Sequence, residues 1–242
     1  MTDHATPAPD SLPPELLARL GQFDTPTVCN ALEEILPGRR GHGFTIRPLV
    51  CPFPSLAPIV GYARTGTVRA QHPPRDDAET ERRRRLDWYR FVAEGGPLPA
   101  VVVLQDTDET PGYGAFWGEV NTAVHKGLGA LGCVTDGSIR DIDQCAEGFQ
   151  LLAGSVGPSH AWARIERIGG TVTVAGMEVR SGDLIHADRH GAVVIPPEAA
   201  AGIPNAAERI AMREAEILAA ARAPDFDIAA LEHAMGRAQD IH

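Results

Sequence analysis

Residues 100–141 read AVVVLQDTDETPGYGAFWGEVNTAVHKGLGALGCVTDGSIRD, and the reading of this stretch decides the fold class. Ala100-Val-Val-Val-Leu104 is a continuous apolar run, the pattern of a strand buried on both faces. A Gly-rich loop leads to a helical pattern around Gly118 to Gly127, and a second short strand, Gly132-Cys-Val-Thr135, follows. Strand, helix and strand in this order form a βαβ-type unit, which implies parallel pairing and an α/β fold. Asp136-Gly137 ends the second strand, where α/β sheets present their chemistry.

Upstream, residues 1–13 are Pro-rich and polar and are expected to form a loosely attached tail. Glu15 to Leu20 is a short amphipathic piece. Asp24-Thr25-Pro26 reads as a cap with proline at the helix start, opening Thr27 to Leu36, and Pro37-Gly38 stops it. Phe44 to Val68 is β-rich but broken by prolines, as expected of edge strands or strands joined by tight loops. Arg75 to Ala93 is strongly charged, with Asp76, Asp77, Glu79 and Glu81 ahead of the run Arg82–Arg85. Acidic residues before basic ones suit a helix dipole, so the stretch reads as a solvated or interface-facing helix, or as an anion or partner site. Trp88 and Tyr89 in it read as apolar anchors.

Downstream, β signals dominate. Thr171-Val-Thr-Val174 alternates, Ser181-Gly182-Asp183 marks a turn, and Asp183-Leu-Ile-His186 leads to Gly191-Ala-Val-Val-Ile-Pro196. A long helical pattern from Pro197 to about Ala221 closes the fold. The expected organisation is a single domain over 14–223 and a helical tail over 224–242.

The chain has 242 residues, 43% of them hydrophobic, and a formal net charge of −10. Such a surface disfavours non-specific binding to nucleic acid or to an anionic membrane, yet permits a local basic pocket for a small anion. No apolar run approaches the roughly 20 residues needed to span a bilayer, and the first residues lack the pattern of a secretory signal. Cys29, Cys51, Cys133 and Cys145 show neither C-x-x-C pairing nor zinc spacing, so reduced thiols in a cytoplasmic protein are expected.

Three motifs carry less than they promise. Gly127-Leu-Gly129-Ala-Leu-Gly132 matches G-x-G-x-x-G, but a helix ends into it and a strand leaves it, the reverse of a dinucleotide site. His186-Ala-Asp188-Arg-His190 places three metal-capable side chains on one face of a strand. It reads equally as a hairpin turn in which Asp188 bonds its own backbone and Gly191 takes positive φ. No G-x-S-x-G elbow accompanies the serines and histidine of Ser155 to His160.

Arg140 and Asp141 stand side by side four residues after Asp136. An arginine matches a carboxylate with two parallel hydrogen bonds, and an aspartate binds Mg2+ or Mn2+ directly or through waters. Glu119 lies 21 positions before Arg140, at the start of the preceding helix. Helix starts and strand C-termini share one edge of a βαβ unit, which brings Glu119 towards Arg140 and Asp141.

The set Gly118-Glu119, Gly129-x-x-Gly132-x-Val134-Thr135-Asp136-Gly137-x-x-Arg140-Asp141 and Val179-x-x-Gly182-Asp183-Leu184-x-x-x-Asp188-x-x-Gly191-x-Val193-x-x-Pro196 resembles the RraA-like family. Its members include 4-hydroxy-4-methyl-2-oxoglutarate and 4-carboxy-4-hydroxy-2-oxoadipate aldolases and the regulator of ribonuclease activity A. The resemblance runs from about residue 24 to 220. It implies a β/β/α swivelling-domain fold, homotrimers or hexamers with active sites between subunits, and class II aldol chemistry on a small anionic 2-oxo acid.

The resemblance also implies roles. Asp141 would anchor Mg2+ or Mn2+, largely through waters, and Arg140 would bind the pyruvate-like part. Glu119 would hold a metal-linked water that passes a proton to the enolate. Gly118 and the backbone amides of Val120 and Asn121 would hold the substrate carboxylate. Glu214 of a neighbouring subunit, or Glu216, would complete the site, and Arg213 or the charged segment 75–96 would read the substrate's distal group. The single lysine, Lys126, argues against Schiff-base chemistry. Other metal-dependent chemistry at the same site, such as decarboxylation, is a second possibility. A protein-binding regulator with a vestigial site is a third.

Overall fold

The computed structural model describes residues 11–241. Its frame grows from β1 (Ile59–Arg69), whose alternate side chains serve different layers. β1 runs parallel to β2 (Ala100–Asp106), which runs parallel to β4 (Ala130–Thr135) and on to β6 (Gln150–Leu152). On its other side β1 pairs antiparallel with β11 (Leu184–Asp188), which turns into β12 (Gly191–Ile195). The far half of β1 also takes β8 (Arg164–Ile168), so the sheet curls.

The sequence expectation for 44–68 needs correction. Residues before Ile59 make only isolated bridges, Phe44 to Val193 and Val50 to Ala153, while β1 is a central strand rather than an edge. Pro48, Pro52, Pro54 and Pro58 all precede β1, so no ladder donor is lost within it.

One face of the sheet is covered by the hairpin β9 (Val172–Val174) and β10 (Met177–Val179). Their buried side chains pack with Ala63, Val101, Val103, Val134 and Ile185. The opposite face carries helices. α1 (Pro14–Leu20), α2 (Thr25–Ile35) and α6 (Ile203–Ala221) pack over Val60, Tyr62, Leu184, Val193 and Ile195. α3 (Ala78–Glu94) and α4 (Glu119–Gly127) pack over Ala100, Val102, Leu104 and Cys133. The long helix expected from Pro197 is two pieces: α5 (Pro197–Ala200) ends at Ala201-Gly202 before α6 begins. α7 (Ile228–Gln239) follows, tied back to α6 by Arg237 to Glu216 at 2.8 Å.

Of the expected tail, residues 1–10 lie outside the described residues, whereas Leu12 N–H donates to the Tyr62 hydroxyl at 2.6 Å. The motif around His186 is structural here. Thr25 Oγ1 lies 3.0 Å from His186 Nδ1, and Asp188 accepts the N–H of Thr25 at 2.9 Å and of His190 at 2.8 Å. Gly191 has φ +132, so the hairpin-turn reading describes the segment. Among the described residues no cluster of three or more His, Cys, Asp or Glu side chains is placed to hold a metal. No helix among them is long and apolar enough to cross a membrane.

A second, three-stranded parallel sheet sets the site. β3 (Ala115–Trp117), β5 (Ser138–Ile139) and β7 (Ser155–Val156) follow β2, β4 and β6 respectively along the chain. These strands of two or three residues are too short for periodicity to announce them.

Candidate active site

The turn between β4 and β5 is built by its own polar groups. Asp136 Oδ1 accepts the Asp106 N–H at 2.8 Å, and Gly137 N–H donates to Thr135 Oγ1 at 3.0 Å. A Cβ at Gly154 would stand 2.2 Å from the Asp136 carbonyl oxygen, so the turn needs a glycine across from it. Burial raises the carboxyl pKa of both Asp136 and Asp106. Asp136 and Gly137 therefore shape the turn, and the candidate residues Arg140 and Asp141 lie beyond it.

β5 pairs with β3, and Arg140 N–H donates to the Trp117 carbonyl at 2.9 Å. That bond delivers Arg140 to Gly118, the N-cap of α4. Asp141 then adopts φ +52, a left-handed conformation that aspartate tolerates better than most side chains. Arg140 Nη1 lies 3.4 Å from Asp141 Oδ1, and both side chains are about one-third exposed.

The first hydrogen bond of α4 runs from Thr122 N–H to the Gly118 carbonyl at 3.0 Å. The N–H groups of Glu119, Val120 and Asn121 thus have no partner within the helix, and together with the dipole they make a terminus suited to an anion. Asn121 is fixed from both ends: Oδ1 accepts from the Tyr89 hydroxyl at 3.0 Å, and Nδ2 donates to the Phe116 carbonyl at 2.5 Å. One turn on, His125 Nδ1 lies 2.6 Å from the Asn121 carbonyl, and Nε2 accepts from Trp88 Nε1–H at 2.8 Å. Those partners require the proton on Nδ1 and a neutral ring. Burial pulls the His125 pKa down to about 4.

Cys145 packs against the backbone of the Arg140–Asp141 turn. Its Sγ lies 3.6 Å from the Arg140 carbonyl oxygen. Burial pushes its thiol up first, and the charges of Asp141 and Glu119 both add to the rise.

A pocket of about 270 Å³ opens over this arrangement. Gly118, Glu119, Val120, Asn121 and Arg140 line it, as do Arg85 and Tyr89 from α3 and Arg164 from β8. Asp141 lies outside the lining, packed against Gly118. No residue of α6 reaches the pocket. Glu214 is exposed on that helix, Glu216 is held by Arg237, and Arg213 is committed to Glu34 at 2.8 Å and to the Ile241 carbonyl. Sequence reasoning gave Glu81 and Arg85 only the role of their segment, a possible anion site or reader of the distal group, and gave none to His160 or Arg164. The available signal was the i, i+4, i+8 spacing of Glu81, Arg85 and Tyr89, a stripe one helix face wide.

A protein-family model described as RraA-like, Aldolase/RraA, matches residues 25–194. The chain belongs to the Aldolase/RraA family. This family joins aldolase-type enzymes with RraA-type regulators. The RraA-like chain aligns with an uncharacterised protein from Pseudomonas syringae pv. tomato str. DC3000 at TM-score 0.69 and 21% identity, over 93% of this chain and 95% of that one. It also aligns with Streptomyces coelicolor RraAS2, an unusual member of the RNase ES inhibitor RraA protein family. That match has TM-score 0.65 and 24% identity, over 85% of this chain and 96% of that one. Both likenesses establish the RraA-like α/β fold. No curated protein gives a significant match.

Proposed function

We propose that the protein is a divalent-metal-dependent class II aldolase that cleaves a 4-hydroxy-2-oxo acid to release pyruvate, with oxaloacetate decarboxylation as a side activity. The observation that carries this reading is the meeting of Glu119, Arg140 and Asp141 beside the open N-terminus of α4.

The donor set fits Mg2+ or Mn2+. Asp141 and Glu119 offer hard carboxylate oxygens, and among the described residues no histidine or thiolate cage competes. Mg2+ is commonly held by one or two carboxylates, with waters and substrate filling the other positions. Asp141 is the anchor, with Glu119 acting through water. When bound, the ion supplies Lewis-acid stabilisation of the negative charge that develops at the 2-oxo group during carbon–carbon cleavage.

The chain's own residues do the rest. Arg140 pairs with the substrate's 2-oxo-acid end through its planar guanidinium. The Val120 and Asn121 amides receive the carboxylate at the helix start. Glu119 passes a proton, through water, to the pyruvate enolate. Lys126, the single lysine, donates to the Glu147 backbone carbonyl and does not line the pocket, so no lysine stands there for a Schiff base.

A trimer or hexamer completes the site. Glu214 is exposed and makes no ion pair among the described residues, whereas Glu216 is engaged, so Glu214 of a neighbouring subunit is the better completing carboxylate. Val120 and Trp162 leave 70% and 54% of their surface exposed at or next to pocket-lining residues, which supports a subunit covering this region.

The test is a pyruvate-coupled screen of 4-hydroxy-2-oxo acids and oxaloacetate, with and without Mg2+ or Mn2+. The expected result is metal-dependent pyruvate release that Asp141→Ala abolishes. Metal-independent turnover, or full activity in that variant, would overturn the mechanism. A regulator would instead bind a ribonuclease regardless of metal and retain that binding in Arg140→Ala.

A further inference from the structure

We propose that His160 is the catalytic base of carbon–carbon cleavage, taking the proton of the substrate's 4-hydroxyl at Nε2. This rests on the aldolase reading and adds to it a residue from the loop after β7.

The imidazole is set by the chain around it. Its Nδ1 lies 2.6 Å from the carbonyl oxygen of Ala161. A carbonyl only accepts, so Nδ1 carries the proton and Nε2 keeps its lone pair. An acceptor on one ring nitrogen is what fixes the tautomer of a histidine that moves protons through the other. Nε2 meets no hydrogen-bond partner among the described residues, and the side chain is exposed and lines the pocket. Ala161 itself has φ +44, a left-handed backbone uncommon for alanine and of the kind that collects at functional sites.

The loop is pinned to the start of β3. Ala161 N–H donates to Ser159 Oγ at 3.0 Å, and Ala115 N–H donates to the Ser159 carbonyl at 2.9 Å. A Cβ on Gly114 would stand 2.6 Å from the His160 carbonyl oxygen, so this loop lies directly on the chain entering β3. From Ala115 to Gly118 is three residues of extended chain, about 10 Å. A small oxo acid seated at the α4 start and the reach of an imidazole together bridge such a distance.

Aldol cleavage handles protons at two atoms: one leaves the 4-hydroxyl and another arrives at C3. Glu119 serves the second. Among the other titratable side chains of the pocket, Arg85, Arg140 and Arg164 have no lone pair for a proton. Tyr89 donates its hydroxyl proton to Asn121 at 3.0 Å, and burial raises its phenol pKa. Glu81 is held by Arg84 at 2.6 Å. His160 is the base left unoccupied.

In the step, the 4-hydroxyl proton passes to Nε2 and the O–H electron pair becomes the second C4–O bond. The C3–C4 pair leaves with C3 as the pyruvate enolate, which takes a proton through water from Glu119. The imidazolium releases its proton to solvent and Glu119 regains one there, so none is gained or lost over the cycle.

Oxaloacetate supplies the comparison, because its decarboxylation forms the same enolate with no hydroxyl to deprotonate. His160→Asn keeps an N–H for the Ala161 carbonyl and removes Nε2. With Mn2+ present, the ratio of kcat for cleaving 4-hydroxy-4-methyl-2-oxoglutarate to kcat for decarboxylating oxaloacetate should fall about a hundredfold, the contribution of a general base. KM for the hydroxy acid should move less than about threefold, since the base acts in the transition state. His160→Ala should show the same fall. A ratio unchanged in these variants, or a parallel loss of both activities as a purely structural role would give, overturns His160 as the base while the aldolase reading stands. Wild-type protein that cleaves no 4-hydroxy-2-oxo acid overturns both.

Discussion

Gly118 and Asp141 share a space that admits a side chain on the glycine only if Asp141 moves. A Cβ on Gly118 would stand 2.6 Å from Asp141 Oδ2 and 3.3 Å from Arg140 Cγ. The cap of α4 is therefore the surface against which both proposed catalytic residues are set.

Gly118→Ala is expected to push Asp141 and Arg140 out of place. Displacement of about 1 Å at a reacting centre can cost about a hundredfold in rate. The pyruvate assay should show a loss in kcat/KM of that order, while the backbone at φ −171 accepts alanine. A variant with unchanged kcat/KM would show that the close contact has no role in positioning.

Asp141→Asn keeps the side chain's size and removes its charge. Mn2+ binding, followed by electron paramagnetic resonance, should weaken at least tenfold, and chelator-treated wild type should regain activity with Mg2+ or Mn2+. Undiminished Mn2+ affinity would move the anchor elsewhere.

Arg140→Lys retains charge but loses the planar pair of donors. The expected outcome is a fall in kcat/KM of about a hundredfold or more, with little change in Tm because Arg140 is partly exposed. Full activity with lysine would exclude bidentate recognition.

His125 makes folding stability sensitive to acid. Its pKa is about 4 in the folded protein against an ordinary 6.5, so the unfolded chain takes up the proton first as pH falls. Stability from this residue is fully present above about pH 6.5 and drains away towards pH 4, by up to about 1.4 kcal/mol per pH unit. Urea unfolding at several pH values should show this slope, and His125→Asn should flatten it. An identical slope in the variant would assign the acid sensitivity to other groups.

Trp88→Phe leaves the buried His125 Nε2 without its donor. The expected cost is about 1–3 kcal/mol in stability. It should also loosen α4, read as faster amide hydrogen exchange at Asn121 and Thr122. Unchanged exchange there would separate α3 from the order of the α4 start.

Much of this arrangement was legible in the residues. The apolar run at Ala100–Leu104 and the short strand before Asp136 disclosed parallel pairing, because strands buried on both faces leave few alternatives. Asp188 and Gly191 disclosed their turn through local hydrogen bonding and φ. β1 was obscured because prolines crowd its approach, although none lies within it. β3, β5 and β7 were too short to leave a pattern, yet they bring Arg140 to Gly118. The pocket-facing stripe of α3 was hidden for another reason: charge composition is the same whether a helix faces water or a ligand, and only the pairing of each arginine tells them apart.

Arg64 is wholly buried and donates to the carbonyls of Val92 at 3.3 Å, Gly96 at 2.6 Å and Pro97 at 2.8 Å. It thus rivets the end of α3 to the central strand, while Trp88 and Val92 bury the inner face of that helix. The pocket consequently has two walls that are held in different ways. One, from Gly118 to Asp141, is a contiguous piece of chain whose atoms are packed to contact. The other is held at its end by Arg64 and along its inner side by Trp88, Tyr89 and Val92, and only its remaining side chains stand outside the packed frame. Side chains on the open side of α3 can therefore be exchanged without disturbing the packing around Gly118 and Asp141.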